Sequence, residues 1–157
     1  QLRHSLSREH GSTNRFSYTV MGDAVNQAAR FEPANKDYNT DVMIGASTYK
    51  LARQYVETRM LDKIIVKGKT EPIDIYELIA KRGNLTTDKA EVIGLYEEAL
   101  KTHWERDFPG AATKLEEGLR IIPDDGPSRA LLERIQRYMI TPPPDAWQGE
   151  YVRATKD

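Results

Sequence analysis

The chain has 157 residues, a formal net charge of -1, 39% hydrophobic and 30% charged residues, and no cysteine. These figures describe a polar globular chain sized for one ordinary domain, or a small domain with an appendage, burying roughly two-thirds of its unfolded surface. They exclude disulfide frameworks, thiolate metal sites and cysteine nucleophiles, and the near-zero charge argues against a general nucleic-acid binder.

The opening QLRHSLSREHGSTNR is polar, leans basic and has no period, which predicts a loop or a loosely held end. RFSYTVMG is rich in β-branched and aromatic residues and predicts a strand ending near Met21. Asp23 is placed to cap the helix AVNQAARFE. At about 100° per residue, Ala24, Val25, Ala28, Ala29 and Phe31 share an apolar face, and Asn26 and Arg30 lie together on the opposite flank. Pro33 should kink that helix or end it. DVMIG predicts a short buried strand, STYKLARQY a helix capped by Ser47, and VETRMLDKIIVKG and EPIDIYELIAK two strands around the turn GKTEP. In the second strand Ile73, Ile75 and Glu77 alternate against Asp74, Tyr76 and Leu78, so neither face is cleanly apolar. This order predicts an α+β layer up to about Lys81.

The composition shifts at RGNLTTD, which divides the chain into residues 1–82 and 83–157. Beyond it Thr87 is placed to cap AEVIGLYEEALKTHWER. Pro109 opens PGAATKLEEGLRII and Pro127 opens PSRALLERIQRYM, where a missing amide costs nothing. Three prolines at 142–144 close the last helix, and the tail DAWQGEYVRATKD is polar apart from Trp147, Tyr151 and Val152. LYEEAL, FPGAA and LEEGLRIIPDD resemble one tetratricopeptide repeat. A single repeat cannot cover its own apolar face, so these helices should lean on the first unit or on a partner.

Asn26 and Arg30 offer an amide and a guanidinium fork side by side, one turn from a helix N-terminus, and a phosphate suits such a flank. Taken alone, an arginine opposite an apolar stripe is an ordinary solvated residue. Lys67 and Lys69 straddle Gly68, so in an extended chain both ammonium groups point to one side. The plain alternative is a basic hairpin tip. His4, His10 and His103 are scattered without metal-ligand spacing, and Asp124-Asp125-Gly126 reads as a turn rather than a calcium loop. No nucleophile elbow, P-loop or dinucleotide fingerprint occurs.

Joined together, GSTNRFSYTVMGDAVNQAAR and RMLDKIIVKGKTEPIDIYEL resemble the class III adenylate/guanylate cyclase catalytic domain, over about Gly11 to Ala80. The resemblance implies the C-terminal half of a ferredoxin-like catalytic domain in residues 1–82, with a helical, repeat-like extension in 83–157. It implies that Asn26 orients the substrate ribose, that Arg30 meets charge on the triphosphate, that Lys67 holds the polyphosphate tail and that Thr19 meets the adenine edge. ATP is the implied substrate, with two Mg²⁺ ions whose aspartate ligands are not in this chain. A second cyclase domain completes the site, so a homodimer is expected. Gln27 and Pro33 depart from the family pattern. Members with a sensor and membrane helices upstream end in extensions like IPDDGPS and PPP…W, which implies a cytoplasmic catalytic part of a membrane-anchored bacterial protein. The start at Gln1 fits a piece of a longer chain, and such a half-domain alone should expose a sheet edge and be inactive. The alternatives are a non-catalytic protein-interaction module with a vestigial cyclase half, and a guanylate cyclase.

Overall fold

Alternation of apolar and polar residues in VETRMLDKII and IDIYELIAK produces two long strands, β2 (Val56–Ile65) and β3 (Ile73–Lys81), paired antiparallel. The computed structural model describes residues 32–65 and 68–153. The expected strand ending near Met21 and helix after Asp23 lie outside the described residues. Ahead of the hairpin come a 3₁₀ turn (Glu32–Ala34), the one-turn helix α1 (Asn35–Tyr38), strand β1 (Met43–Gly45) and helix α2 (Ala46–Ala52). Pro33 sits in the 3₁₀ turn, where a fixed φ is tolerated. After the hairpin come α3 (Thr87–Trp104), α4 (Phe108–Ile121), α5 (Gly126–Ile140) and a two-residue strand, β4 (Tyr151–Val152). The sheet order is β1-β3-β2-β4, so β1 and β4 are its edges among the described strands. The chain is therefore a mixed α+β fold, compatible with half of a cyclase catalytic domain.

Two capping expectations need correction. Helix α2 begins at Ala46, with extended Gly45 in the cap position and no side-chain cap. Strand β1 runs straight into the helix, which leaves Ser47 inside its first turn. Helix α3 is capped by Thr86 rather than Thr87: the Thr86 hydroxyl accepts from the Lys89 amide at 3.1 Å. The caps of α4 and α5 are Asp107 and Asp125, each followed by a proline in the first helical turn.

One apolar core joins sheet and helices. Met43, Leu61, Ile64 and Ile75 from the strands meet Tyr96, Leu100, Leu115, Leu131 and Ile135 from α3, α4 and α5. Each fully buried aliphatic side chain of this kind stabilises the fold by roughly 1.5–3 kcal/mol. The helices therefore cover their apolar stripes against the sheet. Strand β2 is irregular, with pairing shifts between Glu57 and Thr58 and between Met60 and Asp62. The second shift turns two consecutive residues, Leu61 and Asp62, inward together.

Candidate functional site

Four residues singled out from the sequence, Thr19, Asn26, Arg30 and Lys67, all lie outside the described residues. The described structure begins at Glu32 and flanks Lys67 on both sides in sequence. Strand β2 ends at Ile65, two residues before Lys67. On the far side Gly68 has φ 84, a conformation that favours glycine, and Lys69 is exposed at the turn. Arg30 lies three residues before Pro33.

The scaffold beneath the hairpin is charged. Arg59 is fully buried on β2 and donates both terminal nitrogens to the Asp125 carboxylate, at 2.7 and 2.8 Å. Its Nε lies 3.0 Å from Glu77, its register partner on β3, as a charge contact rather than an aligned hydrogen bond. Its guanidinium also sits over the Tyr96 ring. This explains the mixed face of β3: Glu77 follows Ile75 inward because a cation waits there. Burial alone would raise the Asp125 carboxyl. Hydrogen bonds and charge from Arg59, with Ser128 and Lys89, outweigh it and hold the group well below the usual carboxylate range. Burial also pushes the Glu77 carboxyl up, against the pull of Arg59.

A second pair lies three residues further along β2. Asp62 accepts from Arg134 of α5 at 2.7 Å and from the Tyr38 hydroxyl of α1 at 3.0 Å, all three buried. Burial and the Asp62 charge push the Tyr38 hydroxyl well above its ordinary value. Burial would lower Arg134, but Asp62 overrides it and keeps the guanidinium charged. Arg134 also covers the Tyr151 ring at 4.2 Å.

His103 is fully buried among Phe108, Tyr138 and Trp147, with neither ring nitrogen hydrogen-bonded. Burial pushes its pKa down to about 4. It is a neutral core residue. Asp125, read from sequence as part of a turn, is both a helix cap and the buried partner of Arg59. The run Asp-Gly-Pro-Ser signals the cap, since its Ser128 amide donates back to Asp125. No local signal marks the arginine 66 residues away.

A cleft of about 670 Å³ opens between α1, α4 and α5, lined by residues that include Lys36, Asp37, Asp124, Arg129 and Glu133. Its charges are mixed in sign and it does not select one ligand class. Among the described residues no group of three or more His, Asp or Glu is gathered to hold a metal ion.

Comparison with known proteins gives a consistent direction. The chain is 28% identical over 128 residues to the terminal-differentiation specific adenylate cyclase of Dictyostelium discoideum, covering 79% of this chain and 6% of that protein. It is 36% identical over 80 residues to adenylate cyclase 1 of Rhizobium meliloti, covering 51% of this chain and 12% of that protein. It is 41% identical over 73 residues to an adenylate cyclase of Anabaena cylindrica, covering 45% of this chain and 14% of that protein. The chain thus spans between 6% and 14% of the length of these relatives. No protein-family model and no solved structure matches it. All three of these relatives are named as adenylate cyclases.

Proposed function

We propose that this chain is the C-terminal part of a class III adenylate cyclase, converting ATP to cyclic AMP and pyrophosphate in the intact protein. The observation that carries the proposal is the pair of sequence blocks around Asn26–Arg30 and Lys67, together with partial similarity to three proteins named adenylate cyclases. The β2–β3 hairpin supports it, since β2 ends at Ile65, two residues before Lys67 in sequence.

In the reaction the ribose 3′-oxygen forms a bond to the α-phosphorus. The bond from that phosphorus to the pyrophosphate leaving group breaks, and the 3′-hydroxyl proton is lost. Negative charge gathers on phosphoryl oxygens, and a fixed guanidinium is suited to meet it. Arg30 takes that role, Lys67 holds the polyphosphate tail, Asn26 orients the ribose and Thr19 meets the adenine edge. Two Mg²⁺ ions belong to the reading, and the described residues offer them no ligand set.

Residues 1–82 are the catalytic part in this proposal, and 83–157 a tetratricopeptide-like extension. An alignment covering 79% of this chain cannot fit within residues 1–82, so similarity to a cyclase extends into the helices. The site is completed by a second cyclase domain in a homodimer, and the segment alone is inactive. No described helix is long and apolar enough to cross a membrane. A cytoplasmic position below an upstream bacterial membrane segment remains part of the proposal.

The test is Arg30→Ala in the full-length protein. Turnover of ATP should fall by at least about a hundredfold with folding retained, since comparable arginines contribute about 10³–10⁵ in rate. Near-normal turnover would sink the reading and favour an interaction module. Product analysis with ATP and GTP side by side separates an adenylate from a guanylate cyclase.

A further inference from the structure

Two arginines meet at one corner of the sheet without a carboxylate partner. Arg53 follows the last residue of α2, and Arg82 follows the last residue of β3. The Arg82 amide donates to the Tyr55 carbonyl at 2.9 Å, and its guanidinium donates to the Arg53 carbonyl at 3.3 Å. Lys81 stands opposite Val56 in the hairpin register, and Lys50 lies one turn before Arg53. All four cations are exposed. Among the described residues no carboxylate pairs with any of them. Glu57, on the adjoining strand, accepts instead from the Gly83 amide at 2.8 Å. By contrast Arg59, Arg134 and Arg153 are each held by a carboxylate.

Closing α2 explains one of these contacts, since Arg82 meets a carbonyl left over at the helix end. It does not explain the two lysines or the apolar group beside them. Leu51, next to Lys50, is 43% exposed. The Tyr49 ring stacks on Tyr76 at 3.8 Å, and the Arg53 guanidinium lies 5.8 Å from the Tyr49 ring. With a net charge of -1 on the whole chain, four unpaired cations form a local field rather than a general excess. The corner belongs to neither of the clefts of about 670 and 550 Å³, so it offers an open surface rather than a pocket.

We propose that this corner docks on an anionic phospholipid membrane. Lys50, Arg53, Lys81 and Arg82 meet headgroup phosphates, and Leu51 enters the headgroup layer. Tyr49 and Tyr76, with apolar rings and polar tips, suit the same depth. An open basic surface with an aliphatic group standing in it matches a planar array of phosphates, whereas an acidic peptide would call for a groove. No residue of the proposed catalytic site takes part, so the surface stands independently of the cyclase reading.

The test is flotation of the 157-residue chain with vesicles of phosphatidylcholine alone or in equal mixture with phosphatidylglycerol, the folding of each variant being checked by its thermal transition. The mixed vesicles should bind at least about tenfold more tightly at low salt, and rising salt should release the chain. Arg53→Ala with Arg82→Ala should weaken binding about thirtyfold, at roughly a factor of five per cation. Leu51→Ser should weaken it about threefold at every salt concentration, because apolar contact is not screened. Arg120→Ala with Arg129→Ala, two exposed cations elsewhere, should change it by less than about twofold. Should the Arg53 and Arg82 pair of changes impair folding, Lys50→Ala with Lys81→Ala carries the same comparison. Equal binding to both vesicles, binding to neither, or equal loss from the control arginines overturns the proposal. Release by inorganic phosphate at constant ionic strength would mark a small-anion site and overturn it too. Equal affinity for a single-stranded oligonucleotide would assign the surface to nucleic acid instead.

Discussion

The helices meet the rest of the molecule in two unlike ways. Between β2 and α5 two buried ion pairs are set into the apolar core: Arg59 with Asp125, and Asp62 with Arg134. Between α3, α4, α5 and the tail the contact is aromatic: His103, Phe108, Tyr138 and Trp147. The aromatic pocket gains from area removed from water and tolerates small shifts. The ionic seam gains little net energy, because desolvation offsets attraction, but it is intolerant of misplacement. A sliding α5 would strand two charges at once. The contrast teaches that stability and alignment are supplied here by different contacts.

The largest expected effect breaks the seam. Asp62→Ala leaves Arg134 charged in the interior and Tyr38 without its acceptor, and should destabilise the fold by about 3–5 kcal/mol in urea unfolding. Replacing Asp62 and Arg134 together by leucine and methionine should recover much of that loss. A single-mutant cost below about 1 kcal/mol would contradict the buried pairing.

The next effect probes the pocket through pH. Folded His103 stays neutral down to about pH 4, whereas its ordinary pKa is 6.5. Between those values the unfolded chain binds more protons, so stability falls as pH drops through the window, by on the order of 3 kcal/mol. The change is complete below about pH 4 and absent above about pH 7. His103→Phe should flatten this slope in urea titrations at pH 7 and 4.5, and an unchanged slope would assign it elsewhere. The Asp62 charge opposes the shift and Arg134 adds to it, so breaking the seam should also move the His103 titration.

A smaller effect tests how closely α5 sits on α1. A Cβ at Gly126 would lie 2.4 Å from the Asn39 carbonyl oxygen, so Gly126→Ala should cost about 1–3 kcal/mol by pushing the helix start outward. Thermal midpoints check it, and an unchanged midpoint would mean that the junction is loose. The smallest effect lies away from both contacts: Thr86→Ala removes the α3 cap and should cost about 1 kcal/mol by the same measurement.

The elements from β1 to α5 were legible in the sequence because each has a period and a stop, whereas the two-residue β4 in the polar tail was not. The β2–β3 hairpin, the two proline-opened helices and the tail break at 142–144 follow from local chemistry alone. The caps at Ser47 and Thr87 were misplaced because neighbouring hydroxyls or a glycine compete for one position, and only backbone geometry decides between them. The buried charges were not legible. Arg59 and Asp62 sit in a strand whose pairing shifts bring Leu61 and Asp62 inward together, and strict alternation would put one of those neighbours in solvent. Their partners lie 66 and 72 residues away, beyond any local pattern. The candidate site was legible only as motif, since its four residues lie outside the described chain.

The ionic seam also bears on how this segment can be rearranged among proteins. Helix α5 contributes Asp125 and Arg134, while β2 contributes Arg59 and Asp62. Grafted onto a foreign sheet, the helices would bring an orphaned carboxylate and an orphaned guanidinium to a surface with no counterpart for either. Any chimaera must carry the matching strand along, so hairpin and helices form one heritable block even though the composition of the chain changes between them.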